Sequence, residues 1–169
     1  MWKVKIRSIQ WCGVILAVTT KFKVDDTLDM AIFEVNIKAQ IEAGVSGIIL
    51  GGTLGEASTL TDEEKKVLIT KTVELVKGKV PVIINIAEQA TKNAIEAAKK
   101  AKEYGATGLM MLPPMRYKAD SRETVNYFKK VASSTTLPIM IYNNPVDYGI
   151  EVTLDMFAEL AECNNIQAV

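Results

Sequence analysis

Gly47-Ile48-Ile49-Leu50-Gly51-Gly52-Thr53-Leu54-Gly55-Glu56 is an apolar run that stops in a glycine-rich turn. Its length and unbroken apolarity are those of a strand buried on both faces, as parallel sheets require. Similar runs recur roughly every thirty residues, the length of a βα unit. They are Val14 to Thr19, Gly47 to Gly51, Val80 to Ile86, Gly108 to Leu112, Pro138 to Tyr142 and Ile166 to Val169. Helical periodicity fills the intervals: Leu28, Ile32, Val35 and Ala39 share one face, as do Ala94, Ala97, Ala98 and Ala101, and then Leu154, Phe157, Ala158 and Ala161. Each set is expected to be the buried stripe of an outer helix. Thr61-Asp62-Glu63-Glu64 and Asp120-Ser121-Arg122-Glu123 read as capping boxes that open helices. Gly44, Gly78 and Gly105 stand where helices should stop.

Strict βαβα alternation without a linker predicts a single α/β domain over residues 1–169, with a parallel sheet and right-handed crossovers. Two architectures fit, the (β/α)8 TIM barrel and the open doubly wound sheet. A closed barrel typically takes about 250 residues. The expectation is therefore an incomplete barrel, about the first five βα units plus the start of strand six. An open nucleotide-binding sheet should carry a phosphate signature in its glycine turn. Residues 51–56 contain neither the Gly-Lys-Ser/Thr of a P-loop nor Gly-x-Gly-x-x-Gly.

Composition narrows the chemistry. Residues are 49% hydrophobic and 24% charged, which is enough apolar material for a packed core. Twenty basic and twenty acidic residues cancel, so no polycationic surface points to nucleic acid or an anionic membrane. A small-molecule partner fits this balance better. Histidine is absent, which removes Ser-His-Asp triads, Cys-His dyads and imidazole-ligated zinc. Catalysis would have to use Lys, Tyr, Thr or carboxylates. Cys12 and Cys163 have no metal-ligand spacing and read as reduced thiols of a cytoplasmic protein. Lys3, Lys5 and Arg7 before Val14 to Val18 superficially resemble a secretory leader, but the run is short and recurs in kind as buried strands do.

Three features stand at the carboxyl ends of predicted strands, where parallel α/β folds place their active sites. Gly51 to Glu56 offers successive backbone amides suited to a carboxylate or phosphate, with the Thr53 hydroxyl as a further donor. Tyr142-Asn143-Asn144-Pro145 brings a phenol that could shuttle a proton in a dry pocket. Pro113-Pro114-Met115-Arg116-Tyr117 adds a guanidinium and a second phenol. Taken singly, each also reads as a plain turn, an aromatic plug or a solvated loop.

Taken together, their order and spacing resemble the dihydrodipicolinate synthase and N-acetylneuraminate lyase family from Cys12 onward. The resemblance rests on Gly52-Thr53-Leu54-Gly55-Glu56, on Thr59-Leu60-Thr61 with Glu64, and on Tyr142-Asn143 with Pro145. It implies a pyruvate-type class I lyase on a TIM barrel, in which a lysine on the sixth strand forms a Schiff base with a 2-keto acid. It further implies Tyr142 and Thr53 as catalytic proton-relay residues. Gly52, Thr53 and Leu54 would hold the keto-acid carboxylate, and Arg116 and Tyr117 would complete the substrate site. No cofactor or metal is implied, and the complete protein is expected to be a homo-oligomer.

Four positions depart from the family pattern. The lysine should directly follow Ile166-Gln167-Ala168-Val169 and is not in the chain, so the 169 residues alone are expected to be inactive. Asp147 stands where many dihydrodipicolinate synthases have an arginine for a substrate carboxylate, Arg116 where they commonly have tyrosine, and Leu54 where a second hydroxyl is usual. These changes favour another 2-keto acid lyase over 4-hydroxy-tetrahydrodipicolinate synthase, which stays an alternative. A non-catalytic binding or assembly module is a further one, and size-exclusion chromatography separates it from an unstable fragment.

Overall fold

The computed structural model describes residues 8–169. Six strands, β1 Ile15–Ala17, β2 Gly47–Leu50, β3 Val82–Ile86, β4 Gly108–Met111, β5 Ile139–Ile141 and β6 Ile166–Ala168, form one sheet in chain order. Every neighbouring pair is parallel, and β5 to β6 carries one register irregularity at Ile139/Met140. Between them run α1 Met30–Glu42, α2 Asp62–Val76, α3 Thr91–Glu103, α4 Ser121–Ser134, the single-turn α5 Pro145–Tyr148 and α6 Leu154–Leu160. A doubly wound sheet would reverse its strand order at a switch point, whereas an uninterrupted order is that of a barrel wall. The chain is thus the N-terminal part of a TIM barrel. Each predicted apolar run contains its strand. Val14 to Val18 supplies β1; Lys3, Lys5 and Arg7 lie outside the described residues.

Alternation along the strands sorts the core into two layers. Ile48, Leu50, Val82, Ile86, Leu109, Met111, Ile139 and Ile141 point toward the helices and meet Phe33, Ile37, Leu68, Ile69, Phe128, Met156 and Leu160. Ile49, Ile83, Met110 and Leu112 point to the concave side, with Ile15 and Met140 partly buried beside them. Ile9 and Trp11 also pack onto this concave cluster, and Trp11 Nε1 donates to Gln167 Oε1 at 3.2 Å. An added Cβ on Gly108, at the start of β4, would stand 2.5 Å from Ile9 Cδ1, so the N-terminal segment lies under the amino ends of the strands. Asn165 is buried, and its Nδ2 donates to the carbonyls of Ala132, Thr135 and Leu137 at 3.0, 3.2 and 3.4 Å, tying the end of α4 to the start of β6.

Both capping boxes are formed, at Thr61/Glu64 and Asp120/Glu123. Gly44, Gly78 and Gly105 follow helix ends at φ 81°, 74° and 95°. The predicted α3 stripe is right in outline, since Ala94, Ala98 and Ala101 are buried. The α1 and α6 stripes are not. In α1 the buried pair is Phe33 and Ile37, while Ile32 and Val35 are 52% and 63% exposed; in α6 it is Met156 and Leu160, and Leu154 is 86% exposed. The physical reason lies in helical phase. Glu34 of α1 pairs with Lys71 of α2 at 3.1 Å, which turns Ile32 and Ala39 to the opposite flank. Glu159 of α6 pairs with Lys129 of α4 at 3.9 Å, leaving Leu154 and Ala161 on the flank away from α4. These are the first and last helices of the layer, so each carries an apolar flank with no helix of the described residues beside it.

One core position is under-satisfied. Thr124 on α4 is fully buried, and its hydroxyl oxygen has no hydrogen-bond partner. Thr124→Val removes that desolvated hydroxyl at nearly constant shape and should raise stability by about 1 kcal/mol, measured as a higher urea midpoint with an unchanged slope.

Candidate active site

The first wall of the mouth is the turn after β2. Gly51 takes φ 70°, a left-handed backbone that favours glycine, and Gly52 is extended and caps a 3₁₀ turn over Thr53–Gly55. The first bonds of that turn run from Gly55 N to Gly52 O at 2.9 Å and from Glu56 N to Thr53 O at 3.1 Å. The amides of Thr53 and Leu54 precede them and are therefore the donors that such a turn leaves free for a ligand. Thr53 and Leu54 are both exposed at this rim, Leu54 by 75%. Gly55 is required by close packing: an added Cβ would lie 3.0 Å from Val18 O, and Thr20 Oγ1 donates to Gly55 O at 2.5 Å. From β3, Asn85 Nδ2 donates to Gly51 O at 2.8 Å and fixes the turn from the concave side, while its buried Oδ1 has no partner.

The opposite wall is the segment after β5. Tyr142 N donates to Met111 O at 2.9 Å, which continues the sheet by one residue, and alternation from Met140 puts the Tyr142 side chain on the concave side at 40% exposure. Asn143 clamps the segment: Nδ2 donates to Val152 O and Oδ1 accepts from Val152 N, both at 3.0 Å. Asn144 Oδ1 accepts from Asp147 N and caps α5, with Pro145 in its first turn. The turn carries Tyr148 back over the mouth, where its ring meets Tyr142 edge-on at 6.0 Å and 61°.

Arg116 is exposed on the loop after β4. Tyr117, 56% exposed, lines a shallow depression with Thr91, Arg122, Asn126 and Lys130, on the helix layer. The structure thus brings Thr53, Leu54 and Tyr142 to the carboxyl-end rim and turns Tyr117 toward the outside. Sequence reasoning passed over Asn85 and Tyr148. The one polar residue in the Val82–Ile86 run was a signal for Asn85; Tyr148 had none, because a single helical turn sets its direction.

No described strand carries a lysine; the described lysines sit on helices and in loops. Tyr127 is not a second acid-base group. Burial, helped by the charge of Glu88, pushes its phenol well above the usual tyrosine range, and its hydroxyl donates to Glu88 O at 2.8 Å. A cavity of about 140 Å³ lies between α2 and α3 and reaches Gly51 and Asn85 at the turn after β2. There the Lys100 ammonium, 2.5 Å from Asp62, holds the Asp62 carboxyl below its ordinary range.

Residues 10–169 match the model of the dihydrodipicolinate synthetase family. The chain belongs to that family. It is 36% identical over 156 residues to a 4-hydroxy-tetrahydrodipicolinate synthase of Exiguobacterium sibiricum, covering 92% of this chain and 53% of that protein. A DapA-like lyase of Rhizobium meliloti is also 36% identical over 156 residues, 92% of this chain and 52% of the relative. Among solved structures it resembles YagE, a prophage protein of the dihydrodipicolinic acid synthase family from E. coli K12 in complex with pyruvate. There the TM-score is 0.86 and the identity 32%, over 93% of this chain and 53% of YagE. The chain therefore spans about half the length of the family relatives it matches. No helix of the described residues is long and apolar enough to cross a membrane.

Proposed function

We propose that the protein acts on a pyruvate-type 2-keto acid through a lysine Schiff base, making or breaking a carbon–carbon bond or dehydrating its substrate. The carrying observation is the pairing of two walls: free amides at Thr53 and Leu54 after β2, and the Tyr142 phenol after β5, both at the carboxyl-end rim of a barrel wall. In this reading the amides and Gly52 hold the keto-acid carboxylate, and the Thr53 hydroxyl and Tyr142 phenol pass the proton that imine formation requires. Arg116 serves the outer part of the substrate, with Tyr117 behind it. The amine in this reading is a lysine on the sixth strand, and Ile166–Ala168, the described part of that strand, contains none. YagE, whose structure holds pyruvate, supports the keto-acid part of the reading. Site assembly from a completed barrel, a cytoplasmic setting and a homo-oligomer belong to the same proposal.

The names of several relatives favour a narrower activity, 4-hydroxy-tetrahydrodipicolinate synthase. Against it stands Asp147, whose carboxylate accepts from Asn144 Nδ2 at 2.7 Å and puts negative charge on α5. Proton exchange tests the broader reading. With a version extended past Val169, the methyl protons of pyruvate should exchange with deuterated water far faster than in buffer, since an enamine forms and reverts. Exchange at the buffer rate contradicts it.

A further inference from the structure

We infer that the β4 and β5 side of the mouth is a subsite for an uncharged aromatic or apolar group of the second substrate, and that Tyr148 sets this preference. The inference rests on the keto-acid reading above and adds the chemical class of the keto acid's partner. Tyr148 is half-buried and packs on the concave apolar cluster, as Met115 and Met140 do. Its place is fixed by the Asn144 cap before α5 and by Gly149 after it, at φ 67°. The edge-on contact with Tyr142 holds two aromatic rings at one corner, and Tyr142 keeps 40% of its surface open. Rings arranged edge to face, flanked by polarizable thioethers, favour another flat ring over a hydrated chain.

Charge points the same way. Asp147 precedes Tyr148 on the same turn, with its carboxylate 2.7 Å from Asn144 Nδ2. A carboxylate-bearing partner would meet that negative charge, and a polyhydroxylated one would leave most of its hydroxyls against apolar side chains. Arg116, on the neighbouring loop, is the group that an anionic partner would use instead, and the test below separates the two.

Titration of the 169-residue chain, carrying isotope-labelled methionine methyl groups, decides the matter. Benzyl alcohol, γ-hydroxybutyrate and glycerol serve as unreactive stand-ins for aromatic, anionic and polyhydroxylated aldehydes. Benzyl alcohol should shift the Met115 and Met140 signals while the core residue Met156 stays in place. Tyr148→Ala should weaken that binding about tenfold, and Tyr148→Phe should preserve it. Tyr148→Leu keeps apolar bulk for folding, removes the ring, and should weaken binding as well. The inference is overturned if γ-hydroxybutyrate or glycerol moves Met115 and Met140 at lower concentration than benzyl alcohol. It is equally overturned if benzyl alcohol binds Tyr148→Ala or Tyr148→Leu unchanged while Met156 reports an intact core. None of these signals depends on imine formation, so a failure of the keto-acid reading would leave them unmoved.

Discussion

Tyr142→Phe, made in a version extended past Val169, lowers kcat by about a hundred- to a thousandfold while KM for the keto acid changes little. The asymmetry follows from where the phenol stands. Removing one oxygen leaves the ring, its edge contact with Tyr148 and the Asn143 to Val152 clamp as they were, so the rim keeps its shape. The keto-acid carboxylate in this account is held by the amides of Thr53 and Leu54 across the mouth, so ground-state binding survives. What disappears is the group that moves the proton. Steady-state kinetics with a melting curve for each protein checks this, and an equal loss in KM with kcat unchanged would assign Tyr142 to binding.

Phe128→Ala should cost about 3 to 5 kcal/mol and come close to unfolding the chain, since a domain typically has about 5 to 15 kcal/mol in all. Phe128 has no exposed surface and meets Tyr127 edge-on at 5.5 Å, in the layer between α4 and the sheet. Its loss opens a cavity that the surrounding strands, paired on both sides, are poorly able to fill. The contrasting substitution is Leu154→Ala, equally apolar in sequence but 86% exposed, which should change stability by no more than about 0.5 kcal/mol. Urea denaturation of both variants reads the difference directly.

That contrast also marks where sequence reading succeeds. Strands buried on both faces must be apolar throughout, so each of the six runs announced its strand to within about two residues at either end. Caps and stops were equally readable, because Thr61, Asp120 and the positive-φ glycines act through local backbone chemistry. Helical phase on α1 and α6 was not. Periodicity finds an apolar stripe but does not choose between two stripes, and Ile32 competes with Phe33, as Leu154 does with Met156. The glycine turn and Tyr142 were visible as motif residues at strand ends. Which way Tyr117 and Tyr148 turn depends on packing of the loops against α4 and the concave cluster, and no spacing rule encodes that.

The measurement that bears most directly on the central claim is reductive trapping. A version extended past Val169, treated with pyruvate and borohydride and then digested for mass spectrometry, should carry one pyruvate-derived adduct on the lysine expected to follow Val169 on β6, and the 169-residue chain should carry none. An extended protein with no adduct on that lysine, or with adducts only on the helix and loop lysines, would contradict the account.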